Sequence, residues 1–548
     1  MKQTRLALWS LFTFLISPQA YSAQYRIVEL PVAELGNSTF PTAINNTGDI
    51  AVNLQLQYNP YIDTSLIDFN SAIVMSNLIN IDGVRGGDLE GTDYLWLYSY
   101  ITGNAESLLF QQIANINSYI DNGSSSEPVH GFDTFDNFTK EYNNSAAVTV
   151  RSINNSGSLA GVSQDGFYDL TYFSDDGLST TYIVNDFYSR AFAEVDGKTT
   201  ELAPPETTAG GLSEAFDINI NNQVVGFGTT ELMTDAFKTS VDNCLGEKTC
   251  LRSYSQQLNA NVGSIAQKRG IIWQLDDNGN LTDTFPLGML ITPSSTDTNI
   301  YNSKAVAIND NGIAVGESPA FYLNTTSLTT AAAIYIDDQV TTINQDEEVF
   351  ASTATDINNN NLMVGTITKR VAGITRQKFF VHDVDANITL YPDDFFPGSS
   401  STALSINNEN MVVGYAEYEA SVSTTRRTEG FIYDYRNDLF LGLNSLIECN
   451  SSYSIVQANA INDSNEIAAT ALVNAPVKNI QGEIIYDELG ATTEVNQVVA
   501  VKLIPIEGGS VDNCNVSSGV QERQGASISW LLILGFFGLG FKGFIRLR

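Results

Sequence analysis

One ten-residue pattern returns seven times along the chain. AINNTGDIAV starts at Ala43, SINNSGSLAG at Ser152, DININNQVVG at Asp217, AINDNGIAVG at Ala307, DINNNNLMVG at Asp356, SINNENMVVG at Ser405 and AINDSNEIAA at Ala460. Position two is always Ile and position three always Asn. Position six carries Gly48, Gly157, Asn222, Gly312, Asn361, Asn410 and Asn465, the two residue types that enter the left-handed backbone region at least cost. A strand that ends at Ile, turns through polar residues with one at positive φ, and resumes with apolar residues is a β-hairpin. Asn45, Asn154, Asn219, Asn309, Asn358, Asn407 and Asn462 therefore read as turn residues, their side chains bonding backbone groups nearby. No ligand is needed to explain them.

A second hairpin-like stretch with an aromatic in its first strand lies upstream of most copies, as in RAFAEVDGKTTEL (190–202) and EGFIYDYRNDLFLGL (429–443). The motif starts are 109, 65, 90, 49, 49 and 55 residues apart, a basic period near fifty with longer early spacings. Four short strands per period of roughly 40–50 residues predict the blade of a β-propeller, since a solenoid coil needs about half that length. The expected fold is all-β: seven four-stranded blades over 24–507, with insertions about 53–147 and 229–268. A strand near Tyr25–Leu30 and another near Val498–Ile506 fall outside the repeats, and sharing one blade would close the ring. A pair of β-sandwiches is the competing architecture. ESLLFQQIANINSYI (106–120) has helical spacing at Leu109, Ile113, Ile116 and Ile120, predicting a helix on the rim.

The chain opens with Lys2 and Arg5, an apolar run from Leu6 to Ile16, Pro18, and small residues between Ala20 and Ala23. That order is a secretory signal peptide over 1–23. After a linker at 508–524, residues 525–548 form an apolar segment ended by Lys542, Arg546 and Arg548. It is short for a membrane helix of about 20 residues, although Lys542 can snorkel, and its basic end is expected on the cytoplasmic side. Four cysteines suit an oxidising compartment, and of three possible connectivities Cys244 with Cys250 and Cys449 with Cys514 is expected.

The tail, a Gly-containing start at Gly525, a short apolar helix and a basic end, resembles the GlyGly-CTERM sorting signals of Gram-negative bacteria, with Ala526 where a second Gly is usual. That resemblance implies export machinery and a rhomboid-type sorting protease as partners, and a secreted or surface location. A retained tail would instead anchor a periplasmic domain at the inner membrane. From Ala191 onward, the alternation of RAFAEVDGKTTEL and EAFDININNQVVGFG is similar to HAF-type extracellular repeats of bacterial secreted proteins, which implies export and repetition but no chemistry.

Without the signal and tail, 22 Lys and Arg face 62 Asp and Glu. Nucleic acid and anionic lipid are excluded as partners for want of a basic surface, leaving the C-terminal segment as the membrane contact. LDDNGNLTD and HDVDANITLYPDD place oxygen side chains in alternation, so Asp276, Asn278, Asn280, Asp283, Asp383 and Asp385 are calcium candidates, although both stretches sit where hairpin turns are expected. No other cofactor motif is present. With His130 and His382 as the two histidines, no catalytic residue is assigned. Two functions remain: a non-catalytic exported propeller binding a glycan or protein, or a polysaccharide hydrolase or lyase using carboxylates in the funnel. For binding, the candidates are Trp96, Tyr98 and Tyr100 in YLWLYSY, half of them assigned to blade core by their alternation, and His130 in HGFDTFDNF.

Overall fold

The computed structural model describes residues 24–511 apart from 138, 295–296, 324, 338, 344–346 and 421–425. Seven four-stranded antiparallel sheets form the blades of a propeller. Their innermost strands are Gly36–Ile44, Val148–Ile153, Ser213–Ile218, Lys304–Ile308, Val349–Ile357, Ser401–Ile406 and Tyr453–Ile461, which number blades 1 to 7. Each motif joins the first and second strands of a blade. All seven sixth positions have positive φ, from +56° at Asn222 to +88° at Gly48.

The hairpin that lies upstream of a motif does not share that motif's blade. Each aromatic hairpin belongs to the blade of the motif before it, so Arg190–Val195 and Lys198–Leu202 complete blade 2. The aromatics on the first strand of each hairpin, among them Phe192, Trp273, Tyr335, Phe379 and Phe431, are fully buried. Phe379 and Phe431 of neighbouring blades lie 5.0 Å apart, so these rings fill the wedges between blades. Tyr25–Glu29 pairs with Glu494–Pro505 as the outer strand of blade 7, closing the ring with strands from both ends of the chain.

Every inner strand carries a β-bulge immediately before its motif, at Thr42, Arg151, Phe216, Val306, Thr355, Leu404 and Asn459. The bulge pushes backbone toward the second strand. A Cβ on Gly226 or Gly365, at motif position ten, would sit 1.9 or 2.1 Å from a carbonyl oxygen of the facing strand. Close backbone approach is thus why five of the seven motifs end in Gly.

The third-position asparagines do more than hold turns. Each Oδ1 accepts the N–H groups two and four residues on. Each Nδ2 donates to the backbone carbonyl of the corresponding Asn in the next blade, at 2.8 to 3.4 Å. The seventh such bond, Asn462 to Asn45, completes the circle. All seven are buried. A second set of ties runs further out: Thr39, Ser213, Ser303, Ser352 and Ser401 each accept a backbone N–H from the third strand of the preceding blade.

The long early spacings divide differently from expectation. Within 53–147 lie the third and fourth strands of blade 1, Ile116–Asp121 and Ser126–Val129, so the extra chain is 58–115 and 130–147. ESLLFQQIANINSYI is not a helix: turns lead into Ile116–Asp121, which pairs with Ile50–Gln57, and ladder pairing overrides its helical spacing. The helices are instead α1 (Ala72–Asn77), α2 (Ile81–Arg85) and α3 (Gly91–Thr102) in blade 1, and α4 (Asp235–Asp242) and α5 (Lys248–Ile265) in blade 3. Among the described residues no helix is long and apolar enough to cross a membrane; the signal and tail expectations lie outside them.

Replacing Asn358 by Ala removes two turn bonds and two inter-blade bonds, to the Asn407 carbonyl and Asn410 Oδ1, from a buried site, and is expected to cost roughly 2–4 kcal/mol in denaturant unfolding. Asn359→Ala, one residue on at the exposed surface, should stay within about 1 kcal/mol.

Candidate functional site

The strands run so that all seven motif turns gather at one end of the ring, the turn face. Loops between second and third strands gather at the other, the insertion face. The axial channel opening at the turn face holds a cavity of about 260 Å³. At its mouth the fourth motif positions form a second, broken circle: Asn46, Ile220, Asp310, Asn359, Asn408 and Asp463 each donate a backbone N–H to the side chain of the next blade. The break falls where the acceptor position holds Ile220.

Deeper in, motif position one contributes Asp217 and Asp356. Asp217 accepts from Ser152 Oγ at 2.6 Å and from the Ile308 N–H of the next blade at 2.9 Å. Asp356 accepts from its neighbour's N–H and from the Ile406 N–H of the next blade, both at 2.8 Å. Each keeps some surface toward the channel, while the packed blades around it strip most of the water from each carboxyl. Burial, reinforced by the charge of Asp217, raises the Asp356 carboxyl to about 7, and burial raises Asp217 as well. The bulge residues form the next level: polar at Thr42, Thr355 and Asn459, apolar at Phe216, Val306 and Leu404, cationic at Arg151.

His130 is not in this channel. Its ring stacks on Tyr142, centroids 3.6 Å apart, beside a cavity of about 10 Å³ between blades 1 and 2, too small for more than a water. Burial lowers its pKa, while Asp133 opposes the shift. His382 is buried, its Nδ1 bonded to Thr389 Oγ1.

YLWLYSY lies in helix α3 and not in a blade strand. Tyr94, Leu97 and Ile101 face a small core of the blade 1 insertion, and Trp96, Tyr98 and Tyr100 pack half-buried against it. Trp96 stacks on Tyr100 at 5.0 Å. Leu97 and Ile101, four residues apart and preceded by Tyr94, are the helical signal in the sequence.

The calcium candidates are engaged as turn residues. Asp276 Oδ1 accepts the N–H groups of Asn278 and Asn280 and, with Oδ2, the Asn280 side chain. Asp283 lies on the following strand. Asp383 accepts from the Ala386 N–H, and Asp385 from Asn361 Nδ2. Among the described residues no group of three or more His, Cys, Asp or Glu side chains is placed to hold a metal ion. Cys244 and Cys250 form a disulfide; Cys449 is disulfide-bonded, and Cys514 lies outside the described residues.

The insertion face is lopsided. Extra chain in blades 7, 1, 2 and 3 forms one connected wall: Asn59 bonds to the Ile480 and Gln481 carbonyls, Ile183 N–H to Leu108, Gln256 to Glu106, Tyr172 to Glu247, and Lys248 to Asp186. Sequence spacing missed the blade 2 part at 164–189, which adds little to its 65-residue motif interval, and the blade 7 part at 477–493, which follows the last motif and so lies in no interval. The wall exposes large apolar tips at Ile79, Phe173 and Leu178, while Leu245 and Leu489 are each 92% exposed.

A family model described as a protein of unknown function, DUF3466, matches residues 4–542. The chain belongs to this family. No curated protein matches it. Solved structures with similarity include a puromycin-hydrolyzing peptidase of Mycobacterium tuberculosis, at 9% identity and a TM-score of 0.39, covering 87% of this chain and 56% of the peptidase. The chain thus spans little more than half of that protein. The β-propeller domain of the Trilobed protease from Pyrococcus furiosus is 8% identical with a TM-score of 0.37, covering 84% of this chain and 94% of that domain. The Dos1 propeller is 12% identical with a TM-score of 0.31, covering 87% and 95%. At such identities the likeness concerns the fold alone.

The raised Asp356 carboxyl has a definite sign. Its contribution to stability is fully present below the ordinary value of 3.8 and is lost as pH rises through about 7. Denaturation midpoints should therefore carry a falling component between about pH 4 and about pH 7.5, and Asp356→Asn should flatten that slope.

Proposed function

We propose that this DUF3466 protein is an exported, non-catalytic propeller that binds a glycan or protein through its insertion face. The observation that carries the reading is the connected wall over blades 7, 1, 2 and 3, with its solvent-facing Leu245, Leu489, Phe173, Leu178 and Ile79. Large apolar side chains carried together on one exposed surface are the feature that marks an interaction face. The turn face offers less, because its asparagines already spend their donors and acceptors on each other.

Export is supported by the Cys244–Cys250 disulfide together with the leader-like start of the chain. Gln24 accepts the Ile506 N–H beside blade 7, at the motif-turn end of that blade. A tail kept in the inner membrane would make this an anchored periplasmic protein, and its removal by a sorting protease would release it.

The alternative, polysaccharide cleavage by channel carboxylates, draws on the raised pKa of Asp356 and its proximity to Asp217. Against it, both carboxylates are tied to backbone N–H groups of adjacent blades, and His130 lies elsewhere.

The test compares the wild-type chain with the triple variant Phe173→Asp, Leu245→Asp, Leu489→Asp on arrays of exported polysaccharides and envelope proteins. Binding that the variant loses at least about tenfold, with thermal unfolding unchanged, is expected for anchors at an interface. Undiminished binding by the variant would sink the insertion-face reading, and polysaccharide turnover abolished by Asp356→Asn would establish the alternative.

A further inference from the structure

In a chain with 27 Lys and Arg against 62 Asp and Glu, three cations converge on blades 2, 3 and 4 around two phenylalanines. The Arg151 guanidinium lies 4.9 Å from the centre of the Phe216 ring and the Lys304 ammonium 5.8 Å from it. Phe227 is 5.9 Å from Phe216, and Lys268 Nζ stands 4.4 Å from its centre. Glu214 pairs with Arg151 at 3.1 Å and Glu317 with Lys304 at 3.4 Å. Two carboxylates against three cations leave one positive charge uncompensated.

That charge resides on Lys268. Among the described residues its ammonium has no ion-pair or hydrogen-bond partner, and Glu214 and Glu317 act on it only at longer range. Arg151 Nε is likewise a buried donor without an acceptor. Burial, with the nearby Lys304 charge, pushes the Lys268 ammonium below its usual value, the cost expected when a half-buried cation lacks a counter-charge. The cluster is also open to solvent: Arg151 and Phe216 line the channel cavity, and the side chains of Arg151 and Lys304 remain 36% and 35% exposed. Glu214 lies two residues before the bulge, so the cluster extends from the bulge level toward the insertion face.

We propose that this cation–aromatic cluster is a binding site for a small organic carboxylate, with Lys268 supplying the open charge and Arg151 and Lys304 completing the anionic subsite. A carboxylate is the fitting class because one monoanion balances the local charge and its two oxygens accept from separate donors. The site does not depend on the apolar tips of the insertion wall.

Titration calorimetry on the full chain tests it, using D-glucuronate and N-acetylglycine as carboxylate probes, D-glucose as the neutral counterpart and inorganic phosphate as another anion. Either or both carboxylates should bind, competing where both do; glucose should not, and phosphate should bind more weakly. The tighter carboxylate then distinguishes an acidic sugar from a peptide terminus as the source. Lys268→Gln, and separately Lys304→Gln, should weaken binding at least about tenfold, the size of one charge-assisted hydrogen bond, with unchanged thermal unfolding. Absence of carboxylate binding, equal affinity in a folded Lys268→Gln variant, or phosphate binding as tightly as carboxylate would each overturn the assignment.

Discussion

The asparagine circle is the constraint on which the rest of the molecule depends. Each third-position side chain performs two tasks with its two polar ends: the carbonyl end fixes its own turn, and the amide end fixes the distance to the next blade. Asp would lose the inter-blade donor. Gln would place the amide a methylene too far out, and Ser has no second group to offer. Buried amides with every partner in place are costly to disturb, because losing one end strands donors and acceptors out of water. The bond from Asn462 to Asn45 joins positions 417 residues apart, alongside a blade that borrows its outer strand from the start of the chain.

This arrangement divides the labour between the two faces. Turn residues satisfied by one another make a rigid ring with little unsatisfied chemistry at its mouth. The bulge residues just inside are free of the motif's demands, and they vary from blade to blade, from Arg151 to Leu404. Insertions collect on the opposite face, where a loop can lengthen without breaking the circle or the strand ladders. The resulting wall over four adjacent blades gives a nearly symmetric scaffold a direction. Position one of the motif lies between these regimes: Asp217 and Asp356 reinforce the ring through neighbouring backbone N–H groups, at the expense of stripping most of the water from two carboxyls.

Much of this was legible from the residues. The motif announced its turns through Gly or Asn at position six, and its recurrence announced the number of blades. The strands at Tyr25 and Val498 stood outside the count and so pointed to closure. Other features were hidden for specific reasons. Ile113, Ile116 and Ile120 have helical spacing, yet the ladder with Ile50–Gln57 claims the last two as strand. YLWLYSY alternates like a strand, yet Tyr94, Leu97 and Ile101 also satisfy a helical stripe, and packing within the insertion chose the latter. The cation–aromatic cluster could not be seen, because Arg151, Phe216, Lys268 and Lys304 come from three blades and share no linear pattern.

What the sequence determined by itself was everything with a local cause or a period: the hairpin turns, the all-β class, the sevenfold repeat and the closing strands. These follow from backbone conformation and from side-chain reach over a few residues, which similar sequences repeat. The tertiary structure alone decided which hairpins share a blade, that the asparagines link in a circle, that His130 lies outside the channel while Asp217 and Asp356 lie within it, and that four insertions join into one wall. Those outcomes depend on distances between residues tens to hundreds of positions apart, and only closure of the ring sets them.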